Sequence, residues 1–449
     1  MPVISPNVRI QPSTAAVSAD GHLVIGGCDT VKLAERFGTP LWILDEQTIR
    51  DSASAITCGL AQYPVSRVLY AGKAFLCLAM CHLIRSLGLG LDVVSAGELF
   101  TAVTAGVPPE QIYMHGNNKS AAELLAGLSA GAVKVVVDSQ SELRMIAAVA
   151  ESIGTKANIL LRVTPGVVPD THHYIRTGQH DSKFGLSLQE LPQVVELAAQ
   201  LSGSINLIGL HAHIGSQSHD VDPYREIVEI LADCFADLKR SQGVELSELD
   251  VGGGLGIAYV DSDRPTAIHD WASEIAKQVI CSFRARELSL PALVLEPGRS
   301  IVGTAGVTLY RAGHAKQLPA GVRYLAVDGG MADNPRPVTY QAQYSAALAN
   351  RMDEPLSSEP LTVVGKYCES GDIIVKDVFL PAHTGDLIAI FDTGAYNYSM
   401  ASNYNRTGRP ACVMVMSGQA DVIIERETNT DLLRQDRIPG RLLADSASQ

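Results

Sequence analysis

Short apolar runs alternate with helical periodicity through the middle of the chain. Between Arg67 and Glu296, each apolar run is followed by a longer segment whose apolar positions recur every three to four residues. This pattern predicts eight strands, at residues 68–70, 91–94, 112–114, 134–137, 159–163, 207–211, 249–251 and 293–295. Eight strands alternating with helices are typical of a (β/α)8 barrel, and an open doubly wound sheet is the competing architecture.

The pattern changes beyond about Val302, where strand follows strand with little helical periodicity. Strands are predicted at residues 307–310, 324–327, 361–364, 387–390, 411–416 and 422–424. We interpret this part as a β domain, either a sandwich or a small barrel. The apolar run at 41–44 has no helix-linked partner in the barrel, so we expect it to join the β domain. The predicted domains are therefore a barrel over 47–305 and a β domain formed by 1–46 and 306–449.

Composition and charge narrow the class of protein. The 449 residues suffice for two or three domains, and 46% hydrophobic with 18% charged residues describes a packed protein rather than a disordered one. A formal net charge of -13 argues against nucleic acid or an anionic membrane as a partner. The chain has no apolar run long enough to span a membrane and no signal-peptide pattern, so we expect a cytoplasmic protein.

The eight cysteines are scattered through the chain, which fits reduced thiols better than a disulfide framework. Cys77 and Cys81 could share a helix face, but neither a second pair nor a well-placed histidine completes a zinc site. We therefore interpret both as buried thiols.

Lys73 stands directly after one of the predicted strands, within the segment YAGKA at 70–74. A lysine flanked by small and apolar residues is poorly solvated as an ammonium, so its amine can become available for imine chemistry. We interpret Lys73 as the residue that forms a Schiff base with pyridoxal 5'-phosphate. The alternative is a surface lysine whose aliphatic stem lies along the strand.

Polar residues recur just past the ends of the predicted strands. They are Lys73, Asp92, His115, Asp138, Arg162, His213, Gly252 and Glu296. In a barrel these strand ends share one face, where the loops build the active site. The glycine turn at 252–254 and the segment EPGR at 296–299 follow the seventh and eighth strands, whose loops commonly bind phosphate through converging backbone N–H groups. A plain tight turn is the alternative for the three glycines.

Glu296 and His213 could contact the ring of such a cofactor. A carboxylate at Glu296 could hydrogen-bond a protonated pyridine nitrogen, and the alternative is a structural ion pair with Arg299. The imidazole of His213 is flat enough to stack on a pyridine ring. His211, two residues earlier, completes a His-x-His pattern that also suits zinc, but no third ligand stands at a matched position, so no metal is expected.

Taken in order, these segments resemble the pyridoxal-phosphate-dependent decarboxylases of fold type III, and among them the diaminopimelate decarboxylases. The motifs that carry the resemblance are YAGKA at 70–74, LDVVSAGEL at 91–99, SKFG at 182–185, HAHIGSQ at 211–217, GGG at 252–254, EPGR at 296–299, DNPRPVTY at 333–340, CESGD at 368–372, GAY at 394–396 and NYN at 403–405. One position departs from the family, because Phe75 stands where many members carry an asparagine. Any contact made by that amide is therefore absent here.

The resemblance implies an alanine racemase-like (β/α)8 barrel with a C-terminal β domain. It implies that the cofactor is bound by Lys73, His213, Ser216, Gly252, Gly253, Gly254, Glu296, Gly298, Arg299 and Tyr396. It implies that the far end of the substrate is held by Arg299, Arg336, Tyr340, Glu369 and Tyr396. Cys368 resembles the family's proton donor, and in the family Cys368 and Glu369 reach into the partner subunit's site. A homodimer with shared active sites is thereby implied.

The implied reaction converts meso-2,6-diaminoheptanedioate, a small amino acid, to L-lysine and CO2, the last step of lysine biosynthesis. The distal end of this substrate carries both a carboxylate and an ammonium, and Arg299, Arg336 and Glu369 would supply the matching charges. Ornithine or arginine has only a distal cation, so a pocket for either should lack the arginines. A decarboxylase of such a basic amino acid is one alternative, and a non-catalytic protein that binds the cofactor is another.

Overall fold

The computed structural model describes residues 10–167, 183–319 and 321–443. Ser182 of the SKFG motif lies outside these ranges. The chain begins with a small antiparallel sheet, β1 (Ala16–Val17), β2 (Leu23–Ile25) and β3 (Cys28–Asp29), followed by α1 (Thr30–Phe37), β4 (Leu41–Asp45) and α2 (Glu46–Gly59). Asp45 begins α2 as an N-cap, since its carboxylate accepts a hydrogen bond from the Thr48 amide.

A closed barrel of eight parallel strands follows. Its strands are β5 (Ser66–Ala71), β6 (Gly90–Val93), β7 (Ile112–Met114), β8 (Lys134–Val137), β9 (Ala157–Thr164), β11 (Ile205–His211), β12 (Glu248–Asp250) and β13 (Ala292–Leu295), with the short β10 (Leu186–Ser187) beside β9. Each strand pairs with the next, and β13 pairs in turn with β5, which closes the sheet. The predicted barrel is confirmed, and the open doubly wound sheet is wrong.

The helices between the barrel strands lie on the outside of the sheet. They are α3 (Leu78–Ser86), α4 (Ala96–Thr104), α5 (Ala121–Ser129), α6 (Gln140–Ser152), α7 (Leu191–Gln200), α8 (Asp222–Gln242) and α9 (Ile268–Ala285), with the single turn α10 (Arg299–Val302) after β13. Three successive helices, α4 to α6, begin with a serine whose hydroxyl accepts the amide of a glutamate three residues later. These caps fix where each loop over the barrel mouth ends. None of the described helices is long and apolar enough to cross a membrane.

The rest of the chain forms a second, largely antiparallel sheet. Its elements are β14 (Gly306–Gln317), β15 (Arg323–Val327), α11 (Arg336–Tyr340), β16 (Ala346–Leu348), β17 (Leu361–Val364), β18 (Ile373–Val378), β19 (Leu387–Phe391), β20 (Ala411–Met416) and β21 (Gln419–Ile424), followed by α12 (Asn429–Leu433) and α13 (Gly440–Leu443). β4 lies in this sheet, antiparallel to β14 and parallel to β20. The prediction that residues 41–44 join the β domain is confirmed. β16 and β18 were not predicted.

The two parts pack against each other at the carboxyl ends of the barrel strands. The loop after β12 carries Ile257 and Tyr259 into a buried cluster whose other members, such as Tyr310 and Tyr344, belong to the β domain. The amide of Asp45 also donates to the carbonyl of Ala305, where the chain enters and leaves the barrel. The barrel mouth is therefore roofed by the β domain.

Candidate active site

A cavity of about 390 Å³ lies between the barrel mouth and the β domain. Seven of the residues predicted for the site line it: Lys73, His213, Ser216, Arg299, Arg336, Tyr340 and Tyr396. Tyr259, Gln217, Asp263 and Gln343 also contribute to its wall. Residues that are far apart in the chain thus meet at one place, as the barrel prediction requires.

Lys73 lies in the turn after β5, and its Nζ is 2.9 Å from Oδ2 of Asp92. Asp92 is fully buried on β6. Poor solvation disfavours the ammonium, as expected, but Asp92, Tyr396 and Glu296 together outweigh that effect and raise the pKa of Lys73 above its usual value. The sequence predicts a poorly solvated amine at Lys73, but nothing in it shows that Asp92 faces that amine.

Glu296 lies directly after β13 and is held by two histidines. Its Oε1 is 2.7 Å from Nε2 of His115, and its Oε2 is 3.3 Å from Nε2 of His211. Burial alone would raise the pKa of Glu296, but the two histidines hold it well below its usual range. His115 Nε2 also lies 3.7 Å from Oδ1 of Asp92. A continuous polar chain therefore joins Lys73 to Glu296 across the barrel mouth, and the two are not at opposite ends of the barrel.

The alternative ion pair between Glu296 and Arg299 does not form in this structure. Arg299 instead donates to Oγ of Ser216 at 2.9 Å and to the hydroxyl of Tyr259. Its guanidinium lies 4.7 Å from the centre of the Tyr396 ring. Arg299 is thus turned toward the cavity, and Glu296 is left to the histidines.

The sequence expectation about metal ligands is wrong in one respect. His211 does have matched partners, since His115, Asp250 and Glu296 bring their ligand-type atoms within 4.8 Å of one another. These residues come from four different strands, so the sequence contained no spacing that could reveal the group.

His213 follows β11 and lines the cavity next to Lys73. Its Nδ1 accepts a hydrogen bond of 3.2 Å from the amide of Gly253, which fixes the plane of the ring. Burial, together with the nearby charges of Lys73 and Arg162, lowers the pKa of His213 well below its usual value. A neutral, flat imidazole is the form suited to lie against an aromatic ring.

The glycine turn packs too tightly for any side chain. A Cβ on Gly253 would lie 1.9 Å from the carbonyl oxygen of Glu296, and one on Gly254 would lie 2.2 Å from that of Gly215. Gly252 has φ +70°, and its amide donates to the Asp250 carboxylate at 2.8 Å. Two of the three amides, those of Gly252 and Gly253, are thus used inside the protein. This turn, which is the predicted phosphate-binding loop, therefore packs directly against the backbone of Glu296.

Gly298 caps the single turn α10 beside Lys73. A Cβ there would lie 2.9 Å from Cβ of Ala71 and 3.2 Å from Cβ of Ala74. The amide of Tyr396 donates to the carbonyl of Ala74 at 2.8 Å, so three separate loops meet around the lysine. Phe75, which departs from the family, is buried with its ring 5.6 Å from that of Tyr398. Phe75 is therefore a packing residue here.

Arg336 is buried on α11 and faces the cavity. Its Nη1 donates to the Tyr344 hydroxyl at 2.7 Å, and its guanidinium lies 4.7 Å from the centre of the Tyr259 ring. Burial disfavours its charge, but the surrounding tyrosines raise the pKa of Arg336 further above its usual value. Arg336 is therefore a buried cavity residue and not a surface residue.

Tyr259 is the site residue that the sequence argument missed. Its hydroxyl accepts from Arg299, and its ring lies under Arg336, so it separates the two cavity arginines. A signal was present, because Tyr259 follows the glycine turn within the same loop after β12. Asp92 and His115 were identified as residues after strand ends but were given no role.

Cys368 and Glu369 are both exposed, and neither lines the cavity formed by the described residues of this chain. The amide of Cys368 donates to Oδ1 of Asn405 at 3.2 Å, and the Tyr404 hydroxyl donates to Glu369. These contacts hold the CESGD loop on the outside of the β domain. Neither side chain therefore reaches the described cavity of its own chain.

The donor set of the cavity fits pyridoxal phosphate. An amine at Lys73 and an ionised carboxylate at Glu296 are the groups that an aldehyde and a pyridine nitrogen require. His213 offers a neutral flat ring, and Ser216 offers a hydroxyl at the loop after β11. Each group lies at the carboxyl end of a barrel strand, where such cofactors bind in this fold.

Comparison with known proteins agrees with this donor set. Residues 49–303 match the family model described as pyridoxal-dependent decarboxylase, pyridoxal binding domain. The chain is 48% identical to a diaminopimelate decarboxylase of Synechocystis, over 98% of this chain and 95% of that protein. It is 47% identical to one of Halalkalibacterium halodurans, over 94% and 97% respectively. A solved diaminopimelate decarboxylase of M. jannaschii in complex with L-lysine superposes with a TM-score of 0.89 at 35% identity, covering 96% of this chain and 99% of that one.

Proposed function

This chain belongs to the pyridoxal-dependent decarboxylases, and within them to the diaminopimelate decarboxylases, and from that premise we propose which of its residues carry the reaction. The reaction is the decarboxylation of meso-2,6-diaminoheptanedioate to L-lysine and CO2, with pyridoxal phosphate as cofactor. The observation that supports the assignment of residues best is the single cavity that holds Lys73, His213, Arg299 and Arg336 together.

The cofactor, when bound, supplies an electron sink for the pair of electrons that CO2 leaves behind. Lys73 would hold its aldehyde end, Glu296 its ring nitrogen, and His213 one face of its ring. The phosphate would lie against Ser216, Gly252, Gly253, Gly254 and Gly298, with Arg299 and Tyr396 at the edge of the site. Asp92 lies against the Lys73 amine at 2.9 Å and is placed to exchange its proton.

The distal end of the substrate would lie between the two cavity arginines. Tyr259 keeps Arg299 and Arg336 apart, so their charges do not repel at contact distance and both remain available to one carboxylate. Tyr340 and Tyr396 line the same cavity and would close over the substrate. Two arginines outnumber the one acid, Asp263, on the described wall of this cavity, which favours a substrate with a distal carboxylate over a purely cationic one.

The remaining two predicted residues would come from a second subunit. Cys368 and Glu369 are exposed in their own chain, which supports a homodimer in which Cys368 of the partner subunit returns the proton to the substrate carbon. Glu369 of the partner subunit would then face the distal ammonium. We also propose a cytoplasmic location, supported by eight cysteines that are all free thiols, the state that a reducing compartment maintains. Cell fractionation tests the location.

A substrate panel tests the activity. With pyridoxal phosphate added, the protein should release CO2 from meso-2,6-diaminoheptanedioate and not from ornithine, arginine or lysine. Release from ornithine or arginine would instead identify a decarboxylase of basic amino acids. An absorbance band that borohydride removes would show that the cofactor is held covalently, and the Lys73→Ala variant should lack it.

A mixing experiment tests the shared sites. The Lys73→Ala and Cys368→Ala variants should each be nearly inactive, because each lacks one half of every site. Coexpressed, they should recover about a quarter of wild-type activity, since random assortment gives hybrid dimers with one intact site. No recovery, with dimers of both variants present, would contradict a site built from two subunits.

A further inference from the structure

We propose that His115 and His211 act together as positioning residues, an imidazole clamp that fixes both oxygens of the Glu296 carboxylate for the ring nitrogen of the cofactor. The inference rests on the proposed role of Glu296. It assigns a task to two buried histidines that the mechanism above does not use.

The clamp is built from three strands. His115 follows β7, His211 ends β11 and Glu296 follows β13, and the side chains of all three are at most 5% exposed. Each histidine faces a different oxygen of the carboxylate, at 2.7 Å and 3.3 Å. The two rings meet edge to face with their centres 4.9 Å apart. The carboxylate therefore has little freedom to rotate.

The groups around Glu296 favour its ionised form, with one negative charge in the cluster. Asp250 lies in the same cluster, and burial together with the charge on Glu296 raises the pKa of Asp250 well above its usual value. Burial also lowers the pKa of His211 to about 4, so this ring is neutral near pH 7 and donates its Nε2 proton to Glu296. Lys73, Asp92 and Arg162 are the other charged groups whose fields reach the cluster. These neighbours therefore favour a cluster in which Glu296 carries the negative charge and Asp250 is protonated.

The distances within this cluster favour direct contact between its side chains over a bound metal ion. Two ligands of a tetrahedral zinc ion lie roughly 3.3 Å apart, because each lies about 2 Å from the metal. Nε2 of His115 and Oε1 of Glu296 are separated by only 2.7 Å, which is too close for two ligands of one zinc ion and is a direct polar contact. A direct contact between His115 and Glu296 therefore accounts for the shortest distance in the cluster.

The clamp also reaches the other end of the cofactor site. His115 Nε2 lies 3.7 Å from Oδ1 of Asp92, and Oδ2 of the same carboxylate pairs with Lys73. Loss of the His115 ring would leave two buried carboxylates, Asp92 and Glu296, without a donor between them. Protonation of Glu296 would then become more favourable, because His115 is one of the two groups that lower its pKa.

The test compares His115→Leu, which removes the donor, with His115→Gln, which can keep an N–H. The readouts are the dissociation constant of pyridoxal phosphate and the pH at which the absorbance of the bound cofactor changes. We expect about tenfold weaker binding and a shifted titration for the leucine variant, from loss of a close polar contact to a charged group, and substantial recovery with glutamine. His82→Leu, at an exposed histidine of α3, is the matched control and should bind as wild type does.

The same substitution made in a Glu296→Gln protein separates an effect on the Glu296 carboxylate from a general effect on packing. In Glu296→Gln, the change His115→Leu should add less than a twofold loss of cofactor binding, because the clamped charge is already gone. Equal losses in both backgrounds, or wild-type binding by the leucine variant, would overturn the clamp. If His115→Leu fails to fold, as judged by circular dichroism, His211→Leu and His211→Asn make the same comparison. A wild-type protein that acquires no cofactor band would refute the proposed function instead.

Discussion

Replacing Arg336 by alanine removes a buried cation from the wall of the cavity. Its Nη1 bond to Tyr344 is lost, but that hydroxyl still donates to Asn397 at 3.2 Å, so the vacated wall keeps its tyrosine in place. Nε of Arg336 is buried and has no partner within the described part of the chain, so the substitution breaks no further hydrogen bond at that atom. The main loss is therefore in binding, and the fold should persist.

The binding energy lost in Arg336→Ala is limited because Arg299 remains in the cavity. Truncating one member of a buried charged pair costs about 2–5 kcal/mol. Arg299 remains to face the distal carboxylate, so we expect about 2–3 kcal/mol, which is a fall in kcat/KM of about 30- to 150-fold. The distal carboxylate does not change during the reaction, so the interaction is equal in ground and transition states. The loss should therefore appear in KM, with kcat nearly unchanged.

Steady-state kinetics with meso-2,6-diaminoheptanedioate measures this split. L-lysine keeps the distal carboxylate of the substrate, so its inhibition constant should rise by a similar factor. Arg336→Lys keeps the charge without the planar fork and should recover part of the loss. Arg311→Ala, at an exposed arginine of the same domain, is the matched control. Unchanged KM and lysine inhibition in Arg336→Ala would refute the assignment of the distal pocket.

Three further predictions rest on single contacts. Tyr259→Phe keeps the ring but removes the acceptor for Arg299, and should raise KM about fivefold to tenfold with little change in melting temperature; wild-type KM would contradict the spacer role. Gly253→Ala places a Cβ 1.9 Å from the backbone of Glu296 and should destabilise the fold by at least about 1–3 kcal/mol in urea unfolding; an unchanged midpoint would show that the turn can shift. Burial raises the pKa of Asp333 to about 7 from 3.8, so the folded state binds the extra proton between these values and loses stability as pH rises from about 4 to 7. Relative to Asp333→Asn, the wild type should lose about 4 kcal/mol across that range, and parallel pH profiles of the two proteins would contradict it.

The barrel was predictable because its strands are short buried runs separated by amphipathic helices. The predicted strand at 112–114 coincides with β7, and that at 134–137 coincides with β8. The ends of β9 and β11 extend beyond the predicted runs, because Ala157 and Ile205 pair across the sheet without being part of a longer apolar stretch. Strand pairing, which is a tertiary property, decides these ends.

β18 escaped prediction for a different reason. It carries Lys376 and Asp377 within Ile373–Val378, and it lies at the edge of its sheet, where exposed charges are tolerated. Such a strand lacks the alternation that a half-buried strand shows. The short β16 likewise gives no periodic signal.

Site residues could be predicted where a reactive side chain directly follows a strand. They could not be predicted where two side chains meet across the barrel. Lys73 and His213 were predicted from their places after strands, and Arg336 was expected beside them from the resemblance to the decarboxylases; all three line one cavity. The pairing of Asp92 with Lys73, and that of His115 with Glu296, depends on the diameter and closure of the barrel. No sequence spacing encodes either distance, so the network inside the barrel became visible only in the structure.

The position of β4 has a consequence for the order in which the chain is made. Its partners β14 and β20 are synthesised only after the whole barrel, although β4 itself leaves the ribosome before it. All five residues of Leu41–Asp45 are buried in the finished protein. A nascent chain paused anywhere within the barrel therefore carries an exposed, unpaired apolar strand, and chaperone contacts during translation should concentrate there.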